Sequence, residues 1–101
     1  MVDTAKAKLV TIILSSELAD RLVETLTALG AAGYTSVAVN GSGLHGKRKR
    51  SAFDSGNIRL ETIVSPLIAE RLLEHIETQY AGFEIVAFAQ DVDAIPRAHF
   101  S

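Results

Sequence analysis

Apolar positions along the 101-residue chain fall into two stripes of helical period, flanked by four short runs with strand character. Residues 8–14 (Lys-Leu-Val-Thr-Ile-Ile-Leu) are rich in β-branched side chains and predict a strand buried on both faces. Ser15 and Ser16 then offer a helix N-cap, with Glu17 and Asp20 in the first turn, where the helix dipole favours anions. Leu18, Leu22, Leu26 and Leu29 recur at spacings of 4, 4 and 3, the apolar stripe of an amphipathic helix that Gly30 is placed to close. A second strand is predicted over residues 34–40 and a third over 57–64. In the third, Ile58, Leu60, Thr62 and Val64 share one face and Arg59 and Glu61 the other. Ser65-Pro66 is an N-cap followed by proline at the first helical position. Ile68, Leu72 and Ile76, supported by Leu73, form the stripe of the second helix, and Ala81-Gly82 ends it. Residues 84–89 predict a fourth strand, and Pro96 marks an irregular tail over 90–101.

The two halves repeat at an offset of 49 or 50: Ser16 maps onto Ser65, Leu22 onto Leu72, Leu26 onto Ile76, and Ala32-Gly33-Tyr34 onto Ala81-Gly82-Phe83. Two such units with right-handed crossovers interleave into a single α+β domain of ferredoxin-like plan, βαββαβ, with a four-stranded antiparallel sheet and both helices on one face. The other face then carries Ile13, Arg59, Glu61, Ile63 and Glu84. Self-association through the sheet, or partial cover by the tail, would protect it. Both Ala-Gly-aromatic corners are expected at the same end of the sheet, where they would surround one anionic ligand.

Composition narrows the function classes. With 48% hydrophobic and 22% charged residues the chain is globular. It has no apolar run near the ~20 residues a membrane span needs, and the N-terminal residues lack a secretory pattern, so a cytoplasmic protein is expected. Cysteine is absent, which excludes disulfides, thiolate metal sites and cysteine nucleophiles. The formal net charge of −2 hides an asymmetry. Residues 41–56 hold Lys47, Arg48, Lys49 and Arg50 against Asp54, a net +3; the remainder has six basic and eleven acidic residues, a net −5. A mildly acidic body with one cationic appendage predicts a partner for the appendage.

That appendage is also too long for a simple hairpin. Such loops usually hold about 2–5 residues, and connections beyond about 12 tend to be functional or disordered. Three glycines, Gly41, Gly43 and Gly46, permit close backbone approach and an anion nest. The segment is no Walker loop, because no Gly-Lys-Ser/Thr opens a helix.

Gly30-Ala31-Ala32-Gly33-Tyr34-Thr35, then a strand, then Gly41-Ser42-Gly43 and a long basic loop resembles the PII signalling superfamily around its T-loop. The resemblance continues through Leu60-Glu61-Thr62-Ile63-Val64 and the second helix, over roughly residues 8–89. It is closest to the PII-like branch associated with bicarbonate transporters and carboxysomes, which has a Tyr-Ala-Gly turn, here Tyr80-Ala81-Gly82. It implies a homotrimer that binds an adenine nucleotide (AMP, ADP, ATP or cyclic AMP) as effector between subunits, with bicarbonate as a further candidate ligand and no covalently bound cofactor. By position, Thr35 would contact the adenine edge and Val64 would line the base pocket. Asn40, Gly41 and Gly43 would form the loop root, and Ala81, Gly82 and Phe83 would present backbone N–H groups to phosphate. Arg48 or Arg50 would reach phosphate oxygens. Leu44, His45, Lys47, Lys49 and Phe53 would meet the target, a membrane transporter or an enzyme. The family's glycine- and lysine-rich segment before the last strand is shortened here. The loop glutamine and the modifiable tyrosine have no counterpart, so 2-oxoglutarate sensing and uridylylation are not expected.

Other readings use the same residues. Lys47 to Arg50 would serve a nucleic-acid-binding ferredoxin-like domain, but such domains stack bases on strand aromatics, and residues 8–14 and 57–64 have none. An acylphosphatase-like enzyme would need an arginine where Ser15-Ser16 stands. Glu61 with Glu84 would pair as acid and base only with a nucleophile at hand, and His45, His75 and His99 lack companions at metal-ligand spacing. Neither catalysis nor a metal site is expected.

Overall fold

Alternating inward residues on β-branched strands, set against two leucine-rich stripes, build one sheet with two helices on it. The computed structural model describes residues 2–39, 42–43, 46–47 and 56–100. In chain order the elements are β1 (Ala5–Ser15), α1 (Ser16–Leu29), β2 (Thr35–Val39), β3 (Ser42–Gly43), β4 (Gly46–Lys47), β5 (Asn57–Val64), α2 (Pro66–Gln79), β6 (Val86–Ala94) and a 3-10 turn, Arg97–His99. The main sheet has the order β2-β5-β1-β6, with every neighbouring pair antiparallel. This is the α+β ferredoxin-like βαββαβ arrangement. β3 and β4 form a separate two-residue ladder inside the long connection, with Ser42 opposite Lys47.

The caps follow the sequence signals. Ser65 accepts a hydrogen bond from the Ile68 amide at 3.3 Å, and Pro66 begins α2. Gly30 closes α1 at φ +95°, a left-handed conformation that favours glycine, and the Ala31 amide donates to the Leu26 carbonyl. The core joins Val10, Ile12 and Leu14 of β1 and Leu60 and Val64 of β5 to Leu22, Leu26, Leu72 and Ile76 of the helices. Burying each of these side chains contributes about 1.5–3 kcal/mol.

Two strands run further than their apolar runs suggest. β1 begins at Ala5, and β6 reaches Ala94, so residues 90–94 are strand rather than tail. The extension buries Ala5, Ala7 and Ala94, and cross-strand charge supports it: Lys8 stands opposite Asp91 and Lys6 opposite Asp93, and both pairs form ion pairs. Charges of opposite sign on facing strand positions support a ladder that hydrophobicity alone does not announce. The hydrogen bond from Lys8, together with its positive charge, lowers the Asp91 pKa; Asp93 raises that of Lys6 in the same way. Asp91, depressed in the folded chain, stabilises above its unfolded carboxyl value and loses that contribution as pH falls through its folded value. Lys6, raised, stabilises below its unfolded value and loses that contribution as pH rises through its folded value. Both contribute at neutral pH. An Asp91→Asn variant is therefore expected to melt slightly below wild type at pH 7 and low salt. The deficit should vanish below about pH 2, where both states are protonated, and at about 1 M salt, where screening acts within ~3 Å. Thermal melts across those conditions check this.

Tyr80 follows α2 and is 2% exposed, yet its hydroxyl has no hydrogen-bond partner among the described residues. Its ring packs edge-on to His75 and Phe83, with the Arg21 guanidinium 5.6 Å above it. A buried, unsatisfied hydroxyl costs about 1–3 kcal/mol of desolvation. Tyr80→Phe is therefore expected to be at least as stable as wild type by urea denaturation. A loss above about 1 kcal/mol would show that the hydroxyl is bonded in the folded protein.

Candidate functional site

α1 delivers the chain to its first corner. After Gly30, residues 31–34 cross to the start of β2, and the Thr62 hydroxyl donates to the Gly33 carbonyl at 2.6 Å, fixing the corner to β5. Thr62 is itself buried. Beside this corner lies a cleft of about 490 Å³. Leu9 and Ile63, paired across β1 and β5, give it an apolar floor. Residues 32–34 and Thr35 line it from the corner, Glu61 stands opposite Thr35 across β2 and β5, and Phe100 completes the lining. A smaller crevice of about 170 Å³ shares Ala32, Ile63 and Phe100 and extends toward Val64, Ser65, Ile68 and His99 at the start of α2.

The polar groups at the rim are lightly engaged. Glu61 receives the Thr11 hydroxyl at 3.5 Å and lies 3.8 Å from Arg59 Nε, both long contacts that leave its oxygens available to a ligand donor. Apolar below and polar at the edge, the cleft suits a flat molecule with hydrogen-bonding edges, and its volume falls within the range of about 300–1,000 Å³ typical of small-molecule sites.

Thr35 lines this cleft. Val64 lies elsewhere: at 2% exposure it packs in the core and touches only the small crevice, while its neighbour Ile63 lines the large one. The alternation of β5 carries that distinction, because Val64 shares the inward face with Leu60 and Thr62. Leu9 and Phe100 also line the cleft, beyond the residues that the family resemblance points to. Leu9 is legible as an outward position of β1, whereas Phe100 carries no local signal. Ala81, Gly82 and Phe83 form an exposed corner, with Gly82 at φ +90°, and line neither cleft. Gly43 and Lys47 lie in the β3–β4 ladder. Asn40, Gly41, Leu44, His45, Arg48, Lys49, Arg50 and Phe53 lie outside the described residues. Among the described residues, no three His, Cys, Asp or Glu side chains are grouped to hold a metal ion.

One expectation is overturned. The two Ala-Gly-aromatic corners lie at opposite ends of the sheet. β1 and β5 are antiparallel, so the helices that follow them run in opposite directions and end at opposite edges. β2 starts level with Thr11 and runs toward Ser15; β6 starts level with Ile13 and runs toward Ala5. The corner at 81–83 shares its end with the root of the long connection, and the cleft lies at the other. Even along β2 alone the ends are roughly 13 Å apart, at about 3.3 Å per residue. A single chain therefore does not close both corners around one ligand.

An antiparallel βαββαβ domain with a long insertion between its second and third main-sheet strands is the fold of the PII-like regulatory proteins, and known proteins agree with it. A proposed PII-like signaling protein from Thermus thermophilus is 33% identical, superposes with a TM-score of 0.82 and is matched over 99% of this chain and 100% of its own. CPII from Thiomonas intermedia, solved bound to ADP and bicarbonate, is 24% identical over the whole of both chains, with a TM-score of 0.87. GlnK of B. subtilis, solved as a complex with ATP, is 16% identical, with a TM-score of 0.64 over 90% of this chain and 85% of its own. No curated protein matches the chain. The family of nitrogen regulatory protein P-II matches residues 7–99, and the chain belongs to it.

The hydrogen bond from Thr62 to the Gly33 carbonyl is expected to contribute about 1 kcal/mol. Thr62→Val should lose it and Thr62→Ser should keep most of it, in urea denaturation of the two variants. A loss in Thr62→Ser with none in Thr62→Val would assign the effect to side-chain volume instead.

Proposed function

We propose that this chain is a PII-like regulator that binds an adenine nucleotide between protomers of a homotrimer and signals through residues 41–56 to a transporter or an enzyme. The observation that carries the reading is the cleft beside Thr35, on a sheet face that no helix of this chain covers. Val37, Ile63, Val86 and Phe88 are exposed on that face, flanking the buried Thr11. Removing such a surface from water favours association of copies through their sheets. Assembly also answers the separation of the corners, since the corner at 81–83 of one protomer can approach the cleft of another. The base would then lie by Thr35 and Ile63, with Val64 supporting the strand from the core. Backbone N–H groups of Ala81, Gly82 and Phe83 would face the phosphates.

The charge distribution supports the same arrangement. Polyphosphate needs cations, and Arg48 or Arg50 would supply planar guanidinium groups that bind two oxygens at once. Asn40, Gly41 and Gly43 would shape the loop root. Nucleotides of different charge would favour different conformations of residues 41–56, and Leu44, His45, Lys47, Lys49 and Phe53 would then meet the target. CPII bound to ADP and bicarbonate makes bicarbonate or a related anion a reasonable second ligand. A membrane transporter for such an anion is the first candidate target, which would hold a cytoplasmic regulator at the membrane. Among the described residues no helix is long and apolar enough to cross a bilayer. The reading is one of regulation rather than catalysis. The nucleic-acid alternative gains no support from the sheet, whose outward residues on β1 and β5 include no aromatic.

Calorimetric titration with AMP, ADP, ATP and cyclic AMP, with and without bicarbonate, tests the reading. At least one nucleotide should bind with Kd below about 1 mM, corresponding to roughly −4 kcal/mol, and Arg48→Ala with Arg50→Ala should weaken it while the trimer persists in light scattering. No binding by any of the four, or a monomer that binds fully, contradicts it.

A further inference from the structure

Beyond Ala94 the chain doubles back. The turn Arg97–His99 lands beside the start of β1, where Arg97 Nη1 donates to the Thr4 carbonyl at 2.6 Å and to Asp3 Oδ1 at 3.3 Å. Amide hydrogen bonds from His99 to Pro96 and from Phe100 to Arg97, each 3.1 Å, set the backbone that carries the Phe100 ring, and His99 packs edge-on against that ring. The tail is thereby tied to a strand end rather than left to solvent.

Its ring does little for the core. Phe100 is half-buried and stands outside the central hydrophobic cluster. Instead it lines both clefts, sharing Ala32 and Ile63 with each and Leu9, Gly33, Tyr34 and Thr35 with the larger. An aromatic ring in the lining of a largely apolar cleft that also holds Thr35 and Glu61 is suited to grip a planar heterocycle. The faces of such a ligand are apolar and its edges carry donors and acceptors, so stacking and edge hydrogen bonds act together.

We infer that Phe100 is the stacking wall for the purine base of the bound nucleotide, so that the chain's last turn is part of the ligand site. This inference rests on the nucleotide reading above and extends it, because it assigns recognition of the base to a tail residue. The wall grips the base and makes no demand on the phosphates. It therefore contributes equally to mono-, di- and triphosphates.

The test is ADP titration of the full chain in three forms: wild type, Phe100→Ala and Phe100→Trp. Loss of one aromatic–base stack is expected to weaken ADP roughly tenfold to a hundredfold in Phe100→Ala, with AMP weakened by the same factor. Phe100→Trp should retain wild-type affinity. The chain has no other tryptophan, so its emission should change as ADP saturates. Where Phe100→Ala fails to fold, Phe100→Leu keeps an apolar wall without the ring, and a similar loss is expected. Undiminished ADP affinity in the Ala or Leu variant, or tryptophan emission indifferent to saturating ADP, overturns the inference and leaves the nucleotide reading standing. Failure of the wild type to bind any adenine nucleotide defeats that reading and the wall with it.

Discussion

The antiparallel pairing of β1 with β5 governs most of this molecule's geometry. It places Thr11 opposite Glu61 and Leu9 opposite Ile63, so one residue in two turns outward while Val10, Ile12, Leu60 and Val64 meet the helices. Because the two strands oppose one another, α1 and α2 also run in opposite directions, and each delivers its glycine corner to a different end of the sheet. The cleft, the exposed sheet face and the separation of the two corners are all consequences of that one pairing.

A domain of this size buries only about two-thirds of the surface of its unfolded chain, and here one broad sheet face lies outside the helix layer. Stability and function meet on that face. In the proposed assembly, burying Val37, Ile63, Val86 and Phe88 between copies would add a hydrophobic contribution the monomer lacks, and the same association would bring the 81–83 corner of one copy toward the cleft of another. Ligand binding and assembly would then be linked, since a ligand that spans two protomers favours the assembled state by mass action. The cross-strand ion pairs of Lys6 and Lys8 lengthen β1 and β6 beyond the helices and provide the edge to which the tail is tied.

Much of this architecture is legible from residue order. Leucine stripes at helical spacing, the Ser65-Pro66 start, the Gly30 stop and the repeat at 49–50 residues specify βαββαβ because each is a local signal that tertiary packing reinforces. Where residue order misleads, the missing information is non-local. The charges of Asp91 and Asp93 look like a solvated tail until Lys8 and Lys6 stand opposite them. Val64 faces the core and the smaller crevice while Ile63 lines the larger cleft, an alternation that is visible in residue order. The two corners look equivalent in the repeat, and only strand direction separates them. Phe100 has no periodic partner at all; its place depends on a turn made more than ninety residues away from the Thr4 carbonyl that anchors it.

The central claim is that corners from opposite ends of the sheet converge on one nucleotide where protomers meet. Amide hydrogen exchange, followed by mass spectrometry with and without saturating ADP, reads both corners at once. If the account holds, segments covering residues 31–35 and 81–83 gain protection together and with the same dependence on ADP concentration. Protection confined to one corner, with the other exchanging as in the free protein, would contradict it.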